Sequence, residues 1–205
     1  MSNDSYKSES ICAISSPPGI GGVSLIRISG AESFSIAENI FSKSLKDNSG
    51  YQVLYGKIIE KKQIIDDVIV TVFKNPHSFT GENTVEINCH GSTFIQQKII
   101  ELLINNGARL ALPGEFSKRA FLNGKLDLSQ TEAIADLINS KSSAAHEIAI
   151  KQLKGGISSE LKILRNKLIE FASLIELELD FSEEDVEFAD RKHLNELIKD
   201  LIAHI

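Results

Sequence analysis

The stretch from Thr84 to Leu112, TVEINCHGSTFIQQKIIELLINNGARLAL, has the pattern of a strand, a helix and a second strand in immediate succession. In its first six residues, Val85, Ile87 and Cys89 alternate with polar neighbours, as in a strand with one buried face. Apolar residues then recur at helical spacing until Gly107, where the helix is expected to end. They are Phe94, Ile95, Ile99, Leu102 and Leu103. This succession predicts a mixed α+β domain.

The residues before this stretch extend the same interpretation. Strand patterns cover Ile11–Ile14, Val23–Ile28, Tyr51–Ile59 and Ile64–Phe73. Serine, proline and glycine separate the first two, so we predict a hairpin or two neighbouring strands there. Apolar residues at helical spacing also predict one short helix between the second and third strands. They are Phe34, Ala37, Ile40 and Phe41.

From about Glu115 onward the hydrophobic period is helical throughout. Ser129 and Glu132 have the spacing of a capping box, and one long helix is predicted from there to Gly155. A second helix carries an apolar seam over residues 161–179, and a third begins near residue 190. Because the third pattern reaches the last residue without a capping signal, we expect a polypeptide cut inside a helical domain.

The composition excludes several classes of protein. The chain has 205 residues, a net charge of −6 and 42% hydrophobic residues, which is enough to bury a core. The opening MSNDSYKSES lacks the apolar region of a secretory signal, and no stretch approaches the ~18 apolar residues of a membrane span. Cys12 and Cys89 have no CxxC partner, and the histidines are scattered, so neither a disulfide framework nor a metal site is predicted. We expect a cytoplasmic protein that has no membrane partner.

Two features invite a functional interpretation that their details do not support. The Gly19–Gly22 turn lacks the G-x-G-x-x-G spacing, since residue 24 is serine, and no G-x-x-x-x-G-K-[ST] motif occurs. The glycines are best explained by a tight turn between two strands that needs their conformational freedom, and close approach of the backbone to a ligand is the alternative. Cys89 and His90 are adjacent in a strand and point to opposite faces, so they cannot act together as nucleophile and base.

An acidic run lies between residues 171 and 190, with eight acidic and no basic side chains. A solvated helix or loop face is the usual explanation, and a surface for a cation or partner is the alternative. The rest of the chain is only slightly basic, which gives little electrostatic reason for direct contact with nucleic acid.

Arg27 and Glu86 are the informative polar residues of the predicted sheet. Arg27 shares the alternating face of Val23 and Leu25, and Glu86 lies opposite the apolar face of its own strand. A half-buried guanidinium needs a carboxylate, which either the protein or a ligand can supply. The pair therefore binds a ligand, or its members pair with each other or face solvent.

Three stretches together resemble the tRNA modification GTPase family known as MnmE or TrmE. They are SPPGIGGVSLIRISG at residues 16–30, NPHSFTGENTVEINCHG at residues 75–91 and PGEFSKRAFLNGKLDLSQTEAIADLI at residues 113–138. The third is long and very specific. DFSEEDV at residues 180–186 also resembles the acidic stretch that the family carries after its second long helix. The resemblance covers nearly the whole chain.

The resemblance implies a domain that binds a reduced folate, that is similar in fold to the tetrahydrofolate-binding part of aminomethyltransferases, and that forms the family's homodimer. The family's folate contacts fall on Arg27, Glu86 and Lys125, with 5-formyltetrahydrofolate or a related folate as ligand and one-carbon donor. A glutamate can accept two parallel hydrogen bonds from a pterin edge, while the cations neutralise the folate carboxylates or orient its formyl oxygen. Which cation does which stays open. Ile20 and Ser24 depart from the family's usual arginine and glycine, which alters the turn and any ligand pressed against it.

The family helps to modify the wobble uridine of certain tRNAs to 5-carboxymethylaminomethyl-uridine, together with a flavin-containing partner of the MnmG or GidA family. It hydrolyses GTP with magnesium and potassium, but its GTPase domain and its carboxy-terminal cysteine motif lie beyond residue 205. GTP and these ions are therefore expected of the family and not of this segment, and no catalytic residue is predicted here.

We accordingly predict a folate-binding and dimerising α+β domain over residues 1–118, followed by the first part of an all-α helical domain over residues 119–205. A rival hypothesis is a purely structural dimerisation module, in which Arg27 and Glu86 form an internal ion pair and folate does not bind. A stand-alone one-carbon transferase resembling aminomethyltransferases ranks last, because no general acid or base is evident beyond the binding residues.

Overall fold

The computed structural model describes residues 9–45, 51–180 and 191–204. The chain divides into two compact units, one ending at Leu126 and the other beginning at Asp127. Residues 181–190, which hold most of the acidic run, lie outside the described residues.

A mixed six-stranded sheet forms the centre of the first unit. Its strands are β1 (Ile11–Ile14), β2 (Gly21–Ser29), β3 (Gln52–Glu60), β4 (Gln63–Phe73), β5 (Thr84–Gly91) and β6 (Arg109–Leu110). They lie in the order β3-β4-β5-β2-β1-β6, and neighbours are antiparallel except β1 and β6, which are parallel. The predicted α+β class is confirmed, and the first two strands are neighbours as predicted, paired antiparallel.

The sixth strand is shorter than predicted. Its sequence pattern extends to Leu112, but strand pairing ends at Leu110. The backbone N–H of Leu112 donates to the Glu115 carboxylate at 2.8 Å instead of to a neighbouring strand. A side-chain acceptor has therefore replaced the sheet at this point.

One face of the sheet is buried beneath helices α1 (Ser33–Glu38) and α2 (Thr93–Asn105). Alternation along β2 and β5 places Ile26, Ile28, Val85 and Ile87 on this face, and all four side chains are fully buried. The residues between them, which include Arg27 and Glu86, are half-buried on the opposite face. A third helix, α3 (Glu115–Leu122), follows the last strand.

The glycine-rich turn before β2 has the tight geometry that its sequence favours. Gly19 has a φ of +134°, a conformation that other residues rarely adopt. Gly91 at the end of β5 lies so close to Gly21 that an added Cβ would stand 2.5 Å from the Gly21 carbonyl oxygen. The register of the two strands shifts between Gly21 and Ser24, and close backbone packing accounts for the glycine at residue 91.

The second unit is entirely helical where it is described. Its helices are α4 (Leu128–Asn139), α5 (Ser143–Leu153), α6 (Gly156–Asp180) and α7 (Arg191–His204). The single long helix predicted up to Gly155 is wrong, because the chain leaves the helical conformation at Ser140, whose ψ is 124°. Ser142 then caps α5 by accepting a hydrogen bond from the backbone N–H of Ala145 at 3.2 Å.

The predicted capping box of Ser129 and Glu132 is also wrong. The box is formed two residues earlier, by Asp127 and Gln130. The Asp127 carboxylate accepts the backbone N–H of Gln130 at 2.8 Å, and the Gln130 side chain accepts the backbone N–H of Asp127 at 2.9 Å. A carboxylate is at least as good a cap as the serine hydroxyl, so the helix begins at the earlier residue.

Among the helices that the structure describes, none has the length and hydropathy of a membrane span. Within the same residues, no cluster of three or more histidine, cysteine, aspartate or glutamate side chains is placed to hold a metal ion. Cys12 and Cys89 are both free and buried. Desolvation by burial raises the pKa of each thiol to about 11, which makes both poor nucleophiles at neutral pH.

Candidate functional site

Arg27 and Glu86 face each other across β2 and β5 as direct register partners. Arg27 Nη2 lies 2.6 Å from Glu86 Oε1, and Arg27 Nε donates to the same oxygen at 2.8 Å. Their side chains keep 21% and 19% of their surface exposed, so solvent reaches the ion pair on the face of the sheet opposite α1 and α2. Of the alternatives that the sequence left open, the structure shows the two residues paired with each other on one face of the sheet.

Two aromatic rings flank the Arg27 guanidinium. Its central carbon lies 5.2 Å from the centre of the Phe79 ring and 5.5 Å from that of Phe116, within the range of cation–π attraction. Phe79 belongs to the loop between β4 and β5 and is 38% exposed, whereas Phe116 lies in α3. The open sheet face therefore presents a carboxylate, a guanidinium and an exposed aromatic ring at one place.

Lys125 contacts the same loop as Phe79. Its Nζ donates to the carbonyl oxygen of Pro76 at 3.1 Å, and its side-chain stem packs close to Gly81. Lys125 is exposed and follows α3. The structure thus brings all three predicted residues to the borders of one loop, residues 74–83, with direct bonding only between Arg27 and Glu86 among the contacts described.

A network of charged side chains that joins this loop to α3 was not predicted from the sequence. Arg119 donates to both carboxylate oxygens of Glu82, at 3.3 and 3.1 Å, and to Glu115 at 3.3 Å. Glu115 also accepts two hydrogen bonds from Arg109, at 3.1 and 2.7 Å. Only 5% of the Arg119 side chain and 4% of the Glu115 side chain are exposed. The four-residue spacing of Glu115 and Arg119 was the one signal available, because it matches an ion pair on a helix.

Glu115 is held in its ionised form. Burial favours the neutral acid, but the hydrogen bonds from Arg109 and from the backbone N–H of Leu112 outweigh it. Together with the positive charges of Arg109 and Arg119, they lower the pKa of Glu115 from 4.5 to about 2.

Acid is therefore expected to destabilise the first unit through Glu115. Because its folded pKa is below the ordinary 4.5, the stabilisation is complete above about pH 4.5 and is lost as the pH falls towards 2. The shift corresponds to roughly 3 kcal/mol. Urea unfolding of the wild type and of Glu115→Gln between about pH 5.5 and 3 checks this. The difference in unfolding free energy between the two proteins should shrink as the pH falls, and a constant difference would contradict the assignment.

Cys89 and His90 point to opposite faces of β5, as the strand geometry requires. Cys89 is buried, whereas 65% of the His90 side chain is exposed. Asp66 accepts hydrogen bonds from His90 Nδ1 at 2.7 Å and from the His90 backbone N–H at 2.8 Å. The buried carboxylate therefore anchors the end of β5, and the thiol takes no part in that contact.

Comparison with known proteins places this arrangement in a family. Residues 10–125 match the family described as the GTP-binding protein TrmE N-terminus, and residues 128–205 match the MnmE helical domain. The chain belongs to the MnmE family. Arg27, Glu86 and Lys125 all lie in the part that matches the amino-terminal MnmE domain.

Curated MnmE proteins from several bacteria are similar to the chain. The tRNA modification GTPase MnmE of Parabacteroides distasonis is 55% identical over 194 residues, that of Flavobacterium johnsoniae 54% over 194 residues and that of Bacteroides fragilis 51% over 205 residues. These alignments cover 91%, 93% and 96% of the chain, but 42%, 42% and 44% of the respective relatives. The chain thus spans about two fifths of the length of these MnmE proteins.

Proposed function

We propose that the chain supplies the folate-binding and dimerising part of a tRNA modification GTPase. The observation that carries this proposal is the Glu86 carboxylate, which is half-buried beside Arg27 on an open sheet face with an aromatic ring next to it. The resemblance of the surrounding motifs to the MnmE family supports the assignment, because Arg27, Glu86 and Lys125 match the family's folate contacts in residue type.

The donors and acceptors present fit a reduced folate. Both Arg27 contacts fall on Oε1 of Glu86, so Oε2 can take part in accepting two parallel N–H donors from an aminopyrimidinone edge. Phe79 offers an exposed ring face against which a flat heterocycle can stack. Lys125 supplies an exposed positive charge in contact with the same loop, where a carboxylate or formyl oxygen can be received. The bound folate would supply the one-carbon unit, and these residues would hold and orient it.

The remaining parts of the proposed function lie outside the chain's own site. Dimerisation, a tRNA substrate, a flavin-containing partner of the MnmG family and a cytoplasmic location are proposed from family membership. GTP, magnesium and potassium are proposed to bind in other parts of the family's proteins.

Calorimetric titration of this chain with 5-formyltetrahydrofolate, with light scattering in the same buffer, tests the proposal. We expect saturable binding to a dimer. A dimer without folate affinity would overturn the folate assignment, and a monomer that binds folate would overturn the dimerisation assignment. A monomer without affinity would overturn both for the chain in isolation.

A second candidate, the structural dimerisation module, has one observation in its favour. Arg27 and Glu86 already satisfy each other at 2.6 Å, as that hypothesis requires. It predicts a dimer that ignores folate, which the same titration distinguishes. A stand-alone one-carbon transferase would require activity of the isolated chain on a one-carbon acceptor.

A further inference from the structure

The loop between β4 and β5, residues 74–83, joins the two halves of the proposed site. Its Phe79 ring lies against the Arg27 guanidinium, and its Pro76 carbonyl accepts the hydrogen bond from Lys125. Any movement of this loop therefore changes the surroundings of both cations at once. What holds the loop in place accordingly decides how well the site is formed before a ligand arrives.

The loop packs directly against the segment that follows α3. Asn123 donates from its side chain to the carbonyl oxygen of Thr80 at 2.8 Å. Gly81 has a φ of +77°, and a Cβ there would lie 3.0 Å from Cγ of Lys125 and 3.2 Å from Cβ of Asn123. The close approach of loop and segment thus depends on a glycine and on the two side-chain hydrogen bonds from Asn123 and Lys125.

Glu82 connects the loop to the buried charges. One of its carboxylate oxygens accepts a hydrogen bond from the Ser29 hydroxyl at 2.7 Å, and both face Arg119. The Glu82 carbonyl oxygen accepts the Ser78 hydroxyl at 2.6 Å, so the same residue also fixes the loop's own turn. Among the described residues, Nε of Arg119 is buried without a hydrogen-bond partner. The Arg119 guanidinium therefore forms its ion pairs with Glu82 and Glu115 through its two Nη atoms.

We propose that Arg119 and Glu82 are positioning residues: their buried ion pair holds the loop in the conformation that sets Phe79 on Arg27 and Pro76 on Lys125. Neither residue needs to touch the ligand. The effect on folate affinity rests on the function proposed above, whereas the effect on the loop does not.

Arg109→Lys is the matched control for Arg119→Lys. Both substitutions keep the positive charge but replace a planar guanidinium by an ammonium group in the same network. Glu115 is a partner of each arginine. Arg109 contacts Glu9 and Glu115 at the end of the network away from the loop. Glu82→Gln is the second test variant, because it keeps the size of the side chain and removes its charge.

Hydrogen exchange of the loop amides gives a readout without any ligand. The backbone N–H groups of Asn75, His77 and Glu82 donate hydrogen bonds within the loop and are suitable probes. If the closed loop falls to about one tenth of its population, these amides exchange faster and folate affinity falls about tenfold. We expect both effects in Arg119→Lys and Glu82→Gln, and neither in Arg109→Lys at a similar loss of thermal stability.

Unchanged loop exchange in Arg119→Lys and Glu82→Gln would overturn the proposal. Equal acceleration in Arg109→Lys would do so as well, because the network would then act only through general stability. If the wild-type chain binds no folate, the proposed function fails, and the exchange comparison still decides whether the ion pair holds the loop.

Discussion

Replacement of Glu86 by alanine is expected to weaken the binding of 5-formyltetrahydrofolate by about 100-fold or more while the fold survives. Two charge-assisted hydrogen bonds to the pterin edge would be lost, and each such bond is worth about 1.5–3 kcal/mol. Because the side chain is 19% exposed, water can solvate Arg27 in the variant and limit the loss of stability. Calorimetry measures the affinity, and urea unfolding measures the stability.

Glu86→Gln refines this test, because an amide keeps the shape of the carboxylate but presents a donor where a pterin requires an acceptor. Glu101→Gln is the control, since Glu101 pairs with Lys98 on α2 at 3.3 Å and is 58% exposed. Unchanged folate affinity in both Glu86 variants would eliminate the site assignment. Strong destabilisation of Glu86→Ala in a protein that never bound folate would instead support the structural dimerisation module.

Glu115→Ala is expected to lower the free energy of unfolding by about 3–5 kcal/mol. The substitution leaves the buried Arg119 guanidinium with Glu82 alone and removes both bonds to Arg109. It also removes the acceptor of the Leu112 backbone N–H. The midpoint and slope of urea unfolding give the change directly.

The surface variant Glu101→Ala provides the comparison for Glu115→Ala, because an exposed pair of this kind contributes at most about 1 kcal/mol. Similar losses in the two variants would mean that water reaches Glu115 and that the network is not buried as described. A loss in Glu115→Ala at near-neutral pH that becomes smaller as the pH falls towards the folded pKa would agree with the pH dependence expected above.

The candidate site was only partly predictable from the chain. Arg27 and Glu86 could each be assigned to a face of its own strand because side chains alternate along strands, and the polar residue in each apolar strand was visible. Their hydrogen bond depends on the register Arg27↔Glu86, which requires β2 and β5 to be neighbours. The Arg119–Glu82 contact joins residues far apart in sequence, and no local sequence pattern indicates that a charged side chain is buried.

The helical unit shows a similar division on a smaller scale. Its helical period was clear, and the helices α6 and α7 lie where the apolar spacing over residues 161–179 and after residue 190 predicts them. The cap and the break were misjudged, since Asp127, Ser129, Ser140 and Ser142 all have side chains that can cap a helix. Competition between nearby hydrogen-bonding groups of similar strength decides such points.

Local chemistry was thus enough to establish the α+β class, most of the strands and helices and the polar residues of the sheet, because period and turn chemistry act within a few residues. The order of the strands, the pairing of Arg27 with Glu86 and the charged network that joins the loop to α3 arise only when distant segments meet. Burial sets the strength of these contacts, since a charge removed from water must find its partner within the protein, and the folded chain alone determines which partner that is.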